Sequence, residues 1–136
     1  MAAAIAVLAR DGAVLLVQRR NAPDAGLWGY PGGKIEGGET IIAAALRELH
    51  EETALVARGC RLLEPFDVIH HDADGQLLAH FILLPVLCAW VSGTAAAASD
   101  ASDARWFTRA ALAARPGMLS PRVLDLADNA FSFSCA

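Results

Sequence analysis

Three glutamates, Glu48, Glu51 and Glu52, follow a loop crowded with glycine and proline. In a helix, at about 100° per residue, they fall within one stripe about 100° wide. Like charges at such spacing repel. In a cleft with an effective dielectric near 20, two carboxylates about 6 Å apart cost roughly 3 kcal/mol. A cation should therefore neutralise them. All-oxygen ligands suit a hard ion such as Mg²⁺ or Mn²⁺, which completes its shell with water and substrate phosphates. The spacing thus predicts phosphate chemistry on one helix face, against the plainer alternative of a solvated, glutamate-rich surface.

The residues before the stripe weigh against the plainer alternative. Gly33, Glu39 and Arg47 stand in fixed register with the three glutamates. With ordinary residue frequencies that combination arises by chance at on the order of 10⁻⁵ per chain. Gly33 to Leu55 resembles the Nudix box, Gly-x5-Glu-x7-Arg-Glu-U-x-Glu-Glu-x-Gly-U, where U is aliphatic, and every charged position matches. The one departure is Ala54 where the pattern has glycine, at the helix exit, where glycine eases a left-handed turn. The resemblance extends to the approach Trp28-Gly29-Tyr30-Pro31-Gly32-Gly33.

What that resemblance implies is specific. Glu48 and Glu52 would ligate Mg²⁺ or Mn²⁺, with Glu51 as a direct or water-mediated ligand and the Gly33 carbonyl completing the protein's share. Glu39 and Arg47 would form a structural ion pair. Water would attack phosphorus, its proton taken by Glu51 or Glu52, or by an acid on a later loop, where Asp100 and Asp103 stand. The fold implied is a three-layer α/β/α sandwich around a mixed sheet. The approach motif, a long hairpin and Asp100-x-x-Asp103-Ala-Arg-Trp look most like small bacterial ADP-ribose pyrophosphatase-type members, which would yield AMP and ribose 5-phosphate. A MutT-type nucleoside triphosphate pyrophosphohydrolase is the rival. A catalytically silent nucleotide-binding domain is the third reading, and the intact box acids argue against it. Homodimers are common in the family and would be compatible with this chain.

These residues need elements to hold them. Ala3 to Ala9 and Ala13 to Val17 are apolar runs separated by Arg10-Asp11-Gly12, a hairpin signal. From Asn21 to Gly38 the density of Gly and Pro excludes long regular structure and leaves a shaped loop. Thr40 to Thr53 has neither residue, and Ile42, Leu46, Leu49 and Thr53 recur at helical spacing, which predicts a helix packed through that face. Leu62 to His70 and Leu77 to Trp90 read as strands joined by a turn at His71 to Gly75. Ser92 to Asp103 reads as an exposed loop before a short strand around Trp106. Thr108 is a candidate N-cap for a helix over Arg109 to Ala114, and Arg122 to Ala130 a terminal helix.

The whole chain sets the bounds. Its 136 residues suit one domain spanning 1–136, with the box at 33–55. A formal charge of -4 supplies no basic field for a nucleic-acid polymer and leaves a small, metal-complexed nucleotide as the fitting partner. The longest apolar run, Phe81 to Val91, is about half of what a bilayer demands, so no membrane partner is expected. There is no basic n-region before the first apolar run, and Cys60, Cys88 and Cys135 fit neither a disulfide framework nor a metal motif. Reduced thiols and a cytoplasmic location follow as expectations.

Four residues outside the box are candidates for substrate contact. Arg19 and Arg20 end a strand beside the Gly/Pro loop, where a guanidinium would hold phosphate. Trp28 and Tyr30 would stack on a base, although a Trp beside a tight turn more often plugs the core. His70, His71 and His80 fit no zinc pattern and read as ordinary strand and turn residues.

Overall fold

The computed structural model describes residues 1–21, 24–98, 101–133 and 135. Strands β1 (Ala2–Arg10) and β2 (Ala13–Arg19) form the expected hairpin, with Ala9 opposite Val14 and Arg10 opposite Ala13. Its two-residue turn puts Asp11 at φ 52° and Gly12 at φ 77°, the left-handed pair that a tight hairpin with native twist requires. Two short strands interrupt the Gly/Pro loop, β3 (Trp28–Gly29) against β2 and β4 (Gly32–Lys34) against β1.

Helix α1 spans Ile41–Thr53, capped by Thr40, whose side chain accepts from the Ala43 N–H. Strand β5 (Val56–Leu62), the long hairpin β6 (Phe66–His71) and β7 (Leu77–Ser92), and β8 (Ala101–Thr108) follow. Helix α2 (Arg109–Ala114) and a 3₁₀ turn at Pro116–Met118 lead to helix α3 (Val123–Ser132). The sheet runs β3-β2-β1-β7-β5, with β4, β6 and β8 added on β1, β7 and β2. It is mixed, because β1 and β7 are parallel while the other pairs are antiparallel.

Alternation along β1 builds the layers. Ala4, Ala6 and Leu8 face a core completed by Ala44, Ala45 and Leu49 of α1. Ile5 and Val7 face the opposite core, completed by Leu112 of α2 and Val123, Leu126, Ala127 and Ala130 of α3. The result is the expected α/β/α sandwich. No helix among the described residues is long and apolar enough to cross a membrane.

Four local expectations change. The buried face of α1 is Ala44, Ala45, Leu49 and Thr53, while Ile42 stays exposed at its edge. Small residues win because α1 lies close on the alanines of β1, where a larger side chain would hold it off. Residues 56–62 form a strand that their sequence hides, since Arg58, Gly59 and Arg61 break the apolar alternation. A side chain at Gly59 would collide with Ile42. Strand β8 begins at Ala101, inside the expected loop, and the preceding segment caps α1, with Ala96 and Ala98 N–H groups donating to the Thr53 and Glu52 carbonyls. Finally, Cys60 and Cys135 are joined as a disulfide across a separation of 75 residues, correcting the expectation of three reduced thiols. Nothing in local spacing signals a pair that only the packing of the C-terminal segment against β5 brings together.

Candidate active site

Strand β4 and helix α1 meet edge to face, and the glycines of β4 make that approach possible. Gly32 lies flush on Ala4 and Ile5 of β1, and a side chain at Gly33 would overlap the Glu48 carboxylate. Glu48 and Glu52, on the border of the buried face of α1, are thereby pressed against the β4 backbone. The Gly32 N–H donates to Glu52 Oε2 at 3.0 Å.

Arg47 organises the remaining acids. Its Nε and Nη2 donate to the two oxygens of Glu39 at 2.7 and 3.0 Å, and its Nη1 donates to Glu48 at 2.8 Å and to Glu51 at 3.3 Å. Nη2 also donates to the Lys34 carbonyl. The repulsion expected along the stripe is thus offset partly from within the chain. Hydrogen bonds from Arg47, and then from the Glu36 N–H, hold the Glu39 carboxyl below its usual pKa.

A cavity of about 670 Å³ opens beside these groups. Glu36, Glu48, Glu52, Gly32, Gly33 and Lys34 line one end of it. Arg19 and Arg20 line its side, Arg20 also donating to the Ala101 carbonyl. Phe66, Val68, Phe81 and Leu83 of the long hairpin form its floor.

Not every predicted residue reaches this cavity. Glu51 sits half-exposed on Arg47, outside the lining. Asp103 lies on β8, where it accepts from the Ala104 N–H and pairs with Arg105 at 2.8 Å, also outside the lining. Asp100 lies outside the described residues. Trp28 is buried with its ring edge-on to Phe107 at 5.1 Å, a core plug and not a stacking platform. Tyr30 borders the cavity, but its hydroxyl donates to the Val123 carbonyl at 2.7 Å, tying the loop to α3. Burial, then the charge of Asp128, pushes its phenol above the usual range. His70 and Asp24, absent from the sequence-derived set, do line the cavity. They come from a strand and a loop distant in sequence, with no motif to join them.

The donor set fits a divalent ion. Gly33 leaves room beside Glu48 that any side chain would fill, and the nearby donors are oxygens, as Mg²⁺ and Mn²⁺ prefer. Among the described residues no three acidic, histidine or cysteine side chains are grouped to enclose an ion unaided.

Known proteins share this fold. The NUDIX domain family model matches residues 1–125. A MutT NUDIX hydrolase from Burkholderia pseudomallei superposes with a TM-score of 0.77 at 30% identity, over 93% of this chain and 95% of that one. The NUDIX domain of Shewanella oneidensis NrtR, crystallised with ADP ribose, superposes at 0.67 with 30% identity, over 97% and 86%. An ADP-ribose pyrophosphatase of Methanocaldococcus jannaschii is 33% identical over 101 residues, covering 74% of this chain and 57% of that protein. The chain spans less than two thirds of the length of the curated relatives it matches.

Proposed function

The chain belongs to the Nudix family, and from that premise we propose that it hydrolyses the phosphoanhydride bond of a nucleoside diphosphate linked to a second moiety, with ADP-ribose as substrate. One observation carries this reading: Glu48 and Glu52 open onto the same cavity as Arg19 and Arg20, so acids for a metal and cations for phosphate face one ligand. The ADP ribose bound to the Shewanella domain and the name of the Methanocaldococcus relative support the choice of substrate.

In this reading Glu48, Glu52 and the Gly33 carbonyl would hold Mg²⁺ or Mn²⁺, and Glu51, outside the cavity on Arg47, would contribute at most through water. Such an ion, when bound, offsets phosphoryl charge and acidifies water. The chain's own groups do the rest. Arg19 and Arg20 orient the diphosphate, and the ion pair of Arg47 with Glu39 fixes the start of the box against α1. Glu52, steadied by the Gly32 N–H, takes the proton of the attacking water. Water adds to one phosphorus as the bridging oxygen leaves with the other, giving AMP and ribose 5-phosphate.

Incubation with ADP-ribose and Mg²⁺, followed by mass spectrometry, should detect both products. Glu52→Gln should lower turnover at least a hundredfold with unchanged thermal unfolding. No AMP at micromolar enzyme overturns the substrate assignment. Pyrophosphate release from nucleoside triphosphates in its place would favour the rival reading, a MutT-type nucleoside triphosphate pyrophosphohydrolase.

A further inference from the structure

The cavity's two ends differ chemically, and its floor links them. Along the inward row of the long hairpin, Phe66 pairs with Leu83, Val68 with Phe81, and His70 with Ala79. Ala3 of β1 pairs with both Leu83 and Lys34, so the Phe66 rung adjoins the acidic end. His70 lies four residues further along the strand, about 13 Å at the usual rise. That interval matches a nucleoside better than a lone phosphate or sugar.

Asp24, on the loop after β2, meets His70 there. Its Oδ2 stands 4.0 Å from His70 Nε2, with the side chains 24% and 21% exposed. That gap is too long for a hydrogen bond. Among the described residues neither side chain has a hydrogen-bond partner, and both line the cavity. A carboxylate only accepts, whereas an imidazole carries at least one N–H in every protonation state. Together they ask for a ligand edge that offers a donor beside an acceptor. The apolar floor leading to them suits the flat face of an aromatic ring.

We propose that Asp24 and His70 are specificity-determining residues that select an amino-bearing nucleobase, adenine or cytosine in type. Asp24 accepts from the exocyclic amine and His70 donates to the adjacent ring nitrogen, while the base lies on Val68 and Phe81. This assignment rests on the nucleotide-hydrolase reading above and adds to it what the far end of the cavity recognises.

Titration calorimetry of the full chain with AMP, IMP and 2′-deoxyAMP in Mg²⁺ tests it, because IMP replaces the amine with a carbonyl and keeps the sugar. The wild-type chain should bind AMP about ten- to a hundredfold more tightly than IMP, and AMP and 2′-deoxyAMP alike. Asp24→Ala and His70→Phe, each with unchanged melting temperature, should bring the AMP-to-IMP ratio towards one. Equal binding of AMP and IMP by the wild type overturns the assignment, as does a ratio that neither substitution moves. A preference for AMP over 2′-deoxyAMP alone also overturns it, by assigning the pair to a sugar diol. AMP release from ADP-ribose is followed in parallel. Base preference without release refutes only the hydrolase reading, and release without base preference refutes only this one.

Discussion

Arg47 makes a stripe of like charges tolerable, and its chief partner is Glu39, whose carboxylate it grips through both oxygens. A carboxyl whose pKa is lowered by folding lends stability that is complete above its unfolded value, near 4.3. That stability disappears as pH falls through the lowered, folded value. Glu39→Gln should therefore flatten the decline of melting temperature below about pH 4.3, relative to wild type, while the curves above pH 6 run parallel. An identical acid slope in both proteins would remove Glu39 from the acid response. At this scale the sequence was legible where spacing on one helix set the geometry, as with Arg47 and Glu48, and where the box resemblance paired Glu39 with Arg47. It was illegible for Asp24 and His70, which share a cavity only through the curl of a loop over a hairpin. For Trp28 the plainer of the two readings holds, a large residue beside a tight turn that plugs the core.

The elements carry their own tension, most visibly at the two ends of the α1 interface. Ala54 ends α1 in the left-handed region at φ 65°, with its N–H bonded to the His50 carbonyl. A Cβ is unfavourable in that conformation, and glycine relieves it while giving back part of the gain as unfolded-chain entropy. Ala54→Gly should stabilise the protein by about 0.5–1 kcal/mol, read as a raised midpoint in denaturant titration. The middle of α1 obeys the opposite rule. Ala44 and Ala45 are fully buried against Ala4 and Ala6 of β1, so the helix rests close on the sheet. Ala45→Leu should cost about 1–3 kcal/mol by overpacking, and it should also reduce activity because α1 carries Glu48 and Glu52. The helix was readable from its lack of Gly and Pro, but only half of its buried face was, Leu49 and Thr53. Larger apolar residues drew attention from the alanines that permit close approach, much as Gly59 and two arginines concealed β5.

At the scale of the molecule, the three layers follow from β1, whose alternate residues feed both cores and whose neighbours β4 and β7 both contribute to the cavity lining. Composition announced a packed core, periodicity a mixture of helix and strand, and the box placed its helix, but the covalent tie between β5 and Cys135 had no local signal. Its surroundings explain how it is held: Arg61 lies over the Phe133 ring at 4.1 Å, and Arg58 donates to the Cys135 carbonyl. The bond closes a loop of 75 residues, long enough that losing it should cost about 2–4 kcal/mol through the freedom restored to the unfolded chain. Because Cys135 lies beyond α3, and α3 contributes Val123 to the cavity wall, that loss should first be felt at the α3 face of the sandwich. Reduction, or Cys60→Ser, should lower the melting temperature by about 5–15 °C and leave the Glu48–Glu52 side of the site in place. Cys88 provides an internal control: burial pushes its thiol up to about 12, so in the native protein it should resist alkylation. Non-reducing mass spectrometry after alkylation should thus find no modified thiol in the oxidised protein and two after reduction. Two modified thiols before reduction would show that the tie does not form and would cancel the predicted drop in melting temperature.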